Sequence, residues 1–233
     1  MRPASPGFET DLLFSDGLGL ESAGPDARLE RQLRREARAL ATLLLDRGET
    51  LVLAESCTAG RVSAALGEVP GISAVLAGSW VTYQVESKKR WLSVSPSALR
   101  ARPDAVSAEV AESMALQALK KTPRAVWAAS ITGHLNSPAR AWAAVAQRGA
   151  QLPRRRTTAR RISLTHTSLK IEKALSEIGP SLDRKNERAN RQVAASILLL
   201  RMVRALITLG VSKTEISGTS LSRARRQTQP RGN

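Results

Sequence analysis

The sequence is poor in three residue types on which much protein chemistry depends, with one cysteine, two histidines and 3% aromatic residues among 233 residues. The single cysteine, Cys57, excludes an intramolecular disulfide and a zinc site of several thiolates, and only His134 and His166 remain as partners for a soft metal. We therefore predict neither a metal site nor a cofactor. Few aromatics also means few platforms on which the bases of single-stranded nucleic acid stack.

Uninterrupted apolar runs are short as well. The most apolar window, residues 196–210, contains Arg201 and Arg204 and falls well short of a membrane span. The first 24 residues mix proline, glycine and acidic residues, without the basic start and apolar centre of a secretory signal. We therefore expect a soluble, cytoplasmic protein without membrane contact.

Positive charge is abundant but unevenly distributed. Residues 149–233 contribute +13 of the formal net charge of +16, whereas residues 1–27 are acidic. The composition predicts a flexible acidic lead segment over 1–27, one α/β domain over 28–211 and a basic disordered tail over 212–233. Non-specific polyanion contact through the basic last third is a hypothesis from charge alone, because no nucleic-acid reader motif accompanies it.

Apolar patterning alternates between strand-like runs and helical spacing. The predicted strands are 51–54, 74–83, 125–131, 141–146 and an arginine-rich edge strand at 160–165. The predicted helices are 29–47, 58–66, 86–92, 108–121, 168–178 and 183–209. This alternation is typical of a three-layer α/β/α sandwich, and we predict a largely parallel sheet with a mixed sheet as the alternative.

One stretch, residues 51–60, joins an apolar strand directly to a helix start and places Ser56 at the turn between them. A hydroxyl there lies beside the backbone N–H groups of a helix N-terminus, which can stabilise a developing oxyanion. The residues alone favour a plainer interpretation, in which Ser56 is the helix N-cap. A third interpretation makes Cys57 the nucleophile, although a small packing residue is favoured at that position.

Several blocks in this chain, taken in order, resemble the CinA C-terminal family over roughly residues 30–210. They are Ala54–Gly60 (AESCTAG), Val69–Gly71 (VPG), Val81–Tyr83 (VTY) with Lys88 five residues on, Val106–Ala111 (VSAEVA) with Met114, and Ser130–Gly133 (SITG). The resemblance implies an α/β/α sandwich. In active members it also implies nicotinamide-nucleotide amidase activity, which hydrolyses nicotinamide mononucleotide (NMN) to nicotinate mononucleotide and ammonia.

The resemblance also implies roles for individual residues. Ser56 is the nucleophile, and Lys88 and Tyr83 handle its proton. A lysine can act as the base when burial or neighbouring positive charge keeps enough of it neutral, and no histidine here has a convincing triad context. The implied substrate-binding residues are Thr58, Gly60, Thr132, Gly133 and Arg191, with Arg188 as the alternative to Arg191.

Two departures from the family pattern bear on activity. Ala59 stands where the family usually has glycine, and the glycine-rich loop after Thr132 is replaced by a shorter one that begins with residues 134–136. The shorter loop predicts a reshaped or closed pocket. We therefore keep two interpretations, an amidohydrolase acting on a small nucleotide and a catalytically inactive module that binds a nucleotide or a protein. For either we expect a homo-oligomer.

Overall fold

The computed structural model describes residues 25–101, 105–136, 138–149, 162–178 and 187–209. The lead segment up to residue 24 and the tail from residue 210 lie outside these ranges, so the expectations of flexibility and disorder for them stay predictions. Much of the arginine-rich segment between residues 149 and 162 also lies outside.

Five strands form one sheet in the order β2-β1-β3-β4-β5. The strands are β1 (Leu51–Glu55), β2 (Leu76–Val81), β3 (Trp127–His134), β4 (Arg140–Arg148) and β5 (Ile162–Leu169). β1 pairs in parallel with β2 and β3, whereas the β3–β4 and β4–β5 pairings are antiparallel. The predicted α/β class is confirmed, and the sheet is the mixed alternative rather than the largely parallel one.

Seven α-helices lie among the described residues. They are α1 (Ala27–Arg47), α2 (Arg61–Gly67), α3 (Val85–Arg90), α4 (Pro96–Ala101), α5 (Ala108–Lys121), α6 (Ile171–Ile178) and α7 (Glu187–Leu209). The short helix α4 was not predicted, although its start carries a readable signal. Ser95 Oγ accepts a hydrogen bond from the N–H of Ala98, and a proline occupies the first helical position.

Both faces of the sheet are covered, as alternation along β1 demonstrates. Leu51 and Leu53 belong to a core shared with α1 and α7, whereas Val52 and Ala54 belong to a second core shared with α5. Successive side chains of a strand point to opposite faces, so a strand buried throughout requires a helix layer on each side. The three-layer arrangement follows from this burial.

Helices α1 and α7 pack together on one face of the sheet, and two arginines of α7 pair with a buried carboxylate of α1. Glu36 of α1 is 6% exposed, and its carboxylate pairs with Arg201 at 2.8 Å and with Arg204 at 3.1 Å.

Among the described residues, α7 is the one helix whose length and hydropathy would allow it to cross a membrane, and half of that apolar window is buried inside the fold.

Candidate active site

The carboxyl ends of the three parallel strands meet at one edge of the sheet. Glu55 of β1 is in register with Val81 of β2 and with Ile131 of β3. Ser56 follows β1, and Thr132 follows Ile131. Both residues line a common cavity at this edge. Ligands in open α/β sheets bind at such strand ends. The fold thus brings together two of the motifs on which the family resemblance rests.

A buried hydrogen bond joins the predicted nucleophile to the predicted base. Lys88 Nζ donates to Ser56 Oγ at 2.9 Å and to the carbonyl oxygen of Tyr83 at 3.3 Å. The Lys88 residue is 3% exposed and Ser56 is 5% exposed. Burial disfavours the ammonium form and lowers the pKa of Lys88 below its ordinary value of 10.5. Burial is therefore the cause, rather than the neighbouring positive charges that the sequence also offered.

Helix α3 delivers Lys88 to this position. The helix begins four residues after β2 ends, and Lys88 is the buried residue of its six, whereas Lys89 and Arg90 are exposed. The fixed carbonyl of Tyr83 and the Ser56 hydroxyl are two acceptors that hold the amine in one place. Such a pair places a proton acceptor against the serine before any substrate arrives.

Cys57 lies beside the pair but is unsuited to be the nucleophile. Burial raises the pKa of its thiol to about 12, so at neutral pH it is a neutral thiol rather than a reactive thiolate. Its carbonyl oxygen accepts a hydrogen bond of 3.0 Å from Gln192 Nε2 of α7. Cys57 therefore ties the turn to the last helix.

The N-cap interpretation of Ser56 is wrong. Helix α2 begins at Arg61, and its cap is Gly60, with φ of 91°. Ser56 is four residues before the cap. Ala59, where the family usually has glycine, has φ of 52°, a left-handed conformation that costs an L-residue roughly 1–2 kcal/mol.

Glu55 is a residue that the sequence analysis did not single out, and it organises the turn. Its carboxylate is fully buried and accepts hydrogen bonds from Thr58 Oγ1 at 2.8 Å and from Ser79 Oγ at 3.3 Å. It also accepts from the backbone N–H groups of Val62 at 3.1 Å and Ser63 at 2.9 Å. These α2 groups were expected to face an oxyanion, but Glu55 binds them. A lone glutamate ending a buried strand just before a helix was the available signal.

The cavity beside the Ser56–Lys88 pair has a volume of about 140 Å³. It is lined by Ser56, Cys57, Tyr83, Lys88, Val106, Thr132, Gly133, His134, Leu135, Asn136 and Arg188. Of the eight residues predicted for catalysis or substrate binding, five line it. The other three, Thr58, Gly60 and Arg191, do not.

Each of the three has another structural role. Thr58 is buried and donates to the carboxylate of Glu55, and Gly60 provides the left-handed cap of α2. Arg191 is 8% exposed and pairs with Glu187 at 3.1 Å on its own helix. The geometry places the alternative, Arg188, at the cavity instead.

Arg188 bridges the two loops that border the cavity. Its Nη2 donates to the hydroxyl of Tyr83 at 2.7 Å, and its Nη1 donates to Asn136 Oδ1 at 3.1 Å. The Tyr83 hydroxyl therefore faces the cavity mouth, whereas the Tyr83 carbonyl holds Lys88. We call this Tyr83–Arg188–Asn136 contact the bridge.

Two cavity residues also carry strand-packing constraints. Thr132 is buried, and its hydroxyl donates to the carbonyl of Ala105 at 3.3 Å. A Cβ on Gly133 would lie 2.5 Å from the Cβ of Ala141 on the adjacent strand. The close approach of β3 and β4 thus requires glycine at this position, whatever ligand the cavity takes.

Glu55→Gln should destabilise the fold by about 1–3 kcal/mol, because the new amide NH₂ replaces one carboxylate oxygen and would face the N–H donor of either Val62 or Ser63. Urea unfolding measures the loss. Glu68→Gln is the matched control, because that carboxylate is exposed in its pair with Arg34, and its effect should stay within about 0.5 kcal/mol. A Glu55→Gln protein as stable as the parent would contradict the role of Glu55 in the turn.

Lys88→Met should alter how stability depends on pH. Burial lowers the pKa of Lys88, so between that pKa and 10.5 the unfolded chain binds more protons than the folded one. The resulting destabilisation is complete below the lowered pKa and vanishes as pH rises through 10.5. The stability of Lys88→Met relative to the parent should therefore be greater at about pH 6 than at about pH 10, by about 1.4 kcal/mol per unit of pKa shift.

Urea unfolding of both proteins at the two pH values checks this expectation. Lys89→Met is the control, because its side chain is exposed on the same helix and its removal should leave the pH dependence unchanged. An equal difference between Lys88→Met and the parent at both pH values would show that the Lys88 pKa is not lowered by folding.

The family relationship follows from the part of the chain that carries this site. Residues 34–140 match the CinA C-terminal domain, and the range includes Ser56, Tyr83, Lys88 and Thr132. Residues 34–140 of this chain are a CinA C-terminal domain. A CinA-like protein of Prochlorococcus marinus is 48% identical over 90 residues, which are 39% of this chain and 21% of that protein. One of Citrifermentans bemidjiense is 47% identical over 94 residues, 40% of this chain and 22% of that protein.

Solved structures of competence- and damage-inducible proteins share the fold. The competence/damage inducible protein CihA from Agrobacterium tumefaciens is 26% identical, with a TM-score of 0.59, and the match covers 75% of this chain and 95% of that one. Competence damage-inducible protein A from Klebsiella pneumoniae is 20% identical, with a TM-score of 0.58, covering 78% and 99%. By contrast, the chain spans about a fifth of the length of the curated CinA-like relatives it matches.

Proposed function

We propose that this CinA-family chain is an amidohydrolase that uses a serine nucleophile and a lysine base, and that its substrate is the carboxamide of a pyridine nucleotide. NMN is the candidate substrate, and nicotinate mononucleotide and ammonia are the products. The proposal is carried by one observation, the buried 2.9 Å hydrogen bond between Lys88 Nζ and Ser56 Oγ. An ordinary serine and lysine at the protein surface would both be solvated, whereas these two are buried and in contact.

The chemistry divides into acylation and deacylation. Neutral Lys88 accepts the Ser56 proton while Oγ bonds to the carboxamide carbon. The C–N bond then breaks, and the nitrogen leaves as ammonia with the proton that Lys88 had taken. A water next loses a proton to Lys88 and attacks the acyl carbon, and the proton returns to Ser56 Oγ as the acid is released. Atoms and charge balance over the cycle.

The surroundings support lysine as the base. Proton transfer is most efficient when the pKa of the base lies near the working pH, and burial moves the pKa of Lys88 in that direction. In the neutral amine, one Nζ hydrogen can stay on the carbonyl of Tyr83 while the lone pair accepts the Ser56 hydroxyl hydrogen, which reverses the direction of the Lys88–Ser56 hydrogen bond. Tyr83 thus contributes its backbone to the proposed mechanism, and its hydroxyl contributes to the bridge.

The second candidate function, binding without catalysis, is favoured by the size of the cavity. Ligand pockets usually measure about 300–1,000 Å³, and this one measures about 140 Å³. Residues 134–136, where the sequence departs from the family pattern, are among its lining residues. Incubating the protein with NMN and assaying ammonia separates the two functions, since a binding module releases none.

Ser56→Ala should lower ammonia release from NMN by at least about 10³-fold, because the nucleophile is lost. The unfolding midpoint should stay near that of the parent. Cys57→Ser is the matched control at the next position, and it should keep activity within about tenfold because its thiol is neutral. Unchanged turnover in Ser56→Ala would rule out the mechanism, and complete loss in Cys57→Ser alone would transfer the nucleophile to Cys57.

The pH dependence of kcat should rise along a limb whose pKa lies below 10.5, because Lys88 acts only when neutral and its pKa is lowered. Lys88→Arg should lack both the limb and most of the rate, since a guanidinium stays protonated throughout the range. The measurement is ammonia release across pH. Lys88→Arg turning over NMN as fast as the parent would show that Lys88 is not the base.

A further inference from the structure

The cavity volume sets a limit on what can reach Ser56. A cavity of about 150 Å³ lined by aliphatic side chains holds one benzene ring, which gives a scale for the 140 Å³ here. One six-membered ring that carries a carboxamide fills the space beside the Ser56–Lys88 pair. A ribose, a phosphate or a second fused ring exceeds it.

Leu135 closes the cavity on one side as a fixed wall. Its residue is 1% exposed and belongs to the core that includes Ala141 and Leu169. Its neighbours His134 and Asn136 are exposed, so Leu135 alone of the three is anchored by packing. Moving a packed core leucine costs several kcal/mol, and the wall therefore does not yield to a larger acyl group.

The bridge also borders the cavity, but its residues are exposed where Leu135 is buried. Tyr83 is 52% exposed, and Arg188 and Asn136 are also exposed, so water can replace the hydrogen bonds that join them. Exposed hydrogen bonds exchange with water at little net cost, so this side is the one that opens. The part of a substrate that does not fit the cavity therefore projects past Arg188 into solvent.

We propose that Leu135 is a specificity-determining residue, which limits the acyl part of the substrate to a single ring or smaller while the bridge lets the remainder project into solvent. This inference rests on the proposed amidohydrolase function and narrows its substrate class. Substrates are amides borne on one six-membered ring, and substituents are tolerated only where they point away from Leu135. A fused second ring occupies two adjacent positions of the first ring, where a single substituent occupies one, so it also meets Leu135 and is rejected at binding.

Equilibrium binding of two probes tests the wall separately from turnover. Benzamide carries one ring and 2-naphthamide carries two, and ligand-observed NMR or calorimetry measures their affinities for the whole chain. Benzamide should bind the parent at least about tenfold more tightly, as size discrimination in a packed pocket allows. In Leu135→Ala the ratio of the two affinities should fall to within about threefold, because the removed methyl groups open space for the second ring.

Two further variants keep the outcome decisive. Leu135→Val removes less volume and serves as the substitute if Leu135→Ala does not fold. It should move the ratio of the two affinities in the same direction. Leu40→Ala removes the same atoms from a fully buried position on α1 and should leave the ratio at its parental value.

Equal binding of both probes to the parent, or no binding of benzamide, would overturn the inference even in a protein that hydrolyses NMN. Selective binding of benzamide with no ammonia from NMN would instead leave the wall in place and reject the proposed activity.

Discussion

The geometry of this site depends on one buried carboxylate. Glu55 accepts hydrogen bonds from the turn that follows β1, from the first turn of α2 and from β2, so three separate segments share one fixed centre. A fully buried carboxylate is tolerable only when donors surround it, and these four donors exist together only when the segments are in place. The position of Ser56, one residue away, is a by-product of satisfying Glu55.

The burial of Lys88 destabilises the fold and at the same time favours its proposed role as a base. A charged lysine buried beside a neutral serine and a neutral thiol forms no ion pair with any acidic side chain in the part of the chain that the structure describes, so the fold disfavours its protonated form. The same burial suits the amine to its proposed role as a base. The cost of a strained Ala59 lies within the same turn. Such destabilising features collect where chemistry is performed, and the two apolar cores offset them.

Local signals made much of the fold predictable. The continuous apolar run of β1 and the helical spacing of α1 correspond to observed elements, because burial on both faces and on one face leave distinct patterns. The mixed sheet was also foreseeable. The connection between β3 and β4 is too short for the crossover of a dozen or more residues that a parallel pair requires, so the two strands had to be antiparallel.

The site was predictable only in part, because tertiary contacts decide it. Ser56 and Lys88 are 32 positions apart, and no local pattern pairs them; the family resemblance did. Arg188 and Arg191 both lie in the first turns of α7, and only the rotation of the docked helix decides which one reaches the cavity. Helix α2 begins later than predicted, because Glu55 binds the N–H groups of its first turn. Hydrophobic periodicity identifies Glu55 only as a polar residue and does not indicate this contact.

The pairing of α1 with α7 has a consequence for the order of folding. Glu36 and Arg201 are 165 positions apart, and their contact joins the first helix to the last among the described residues. Contacts of such long range form late and slowly. The Ser56–Lys88 hydrogen bond spans 32 positions and involves no residue of α7. The bridge, by contrast, needs Arg188 of α7, so we expect the cavity to be enclosed only once α7 has docked on the rest of the fold.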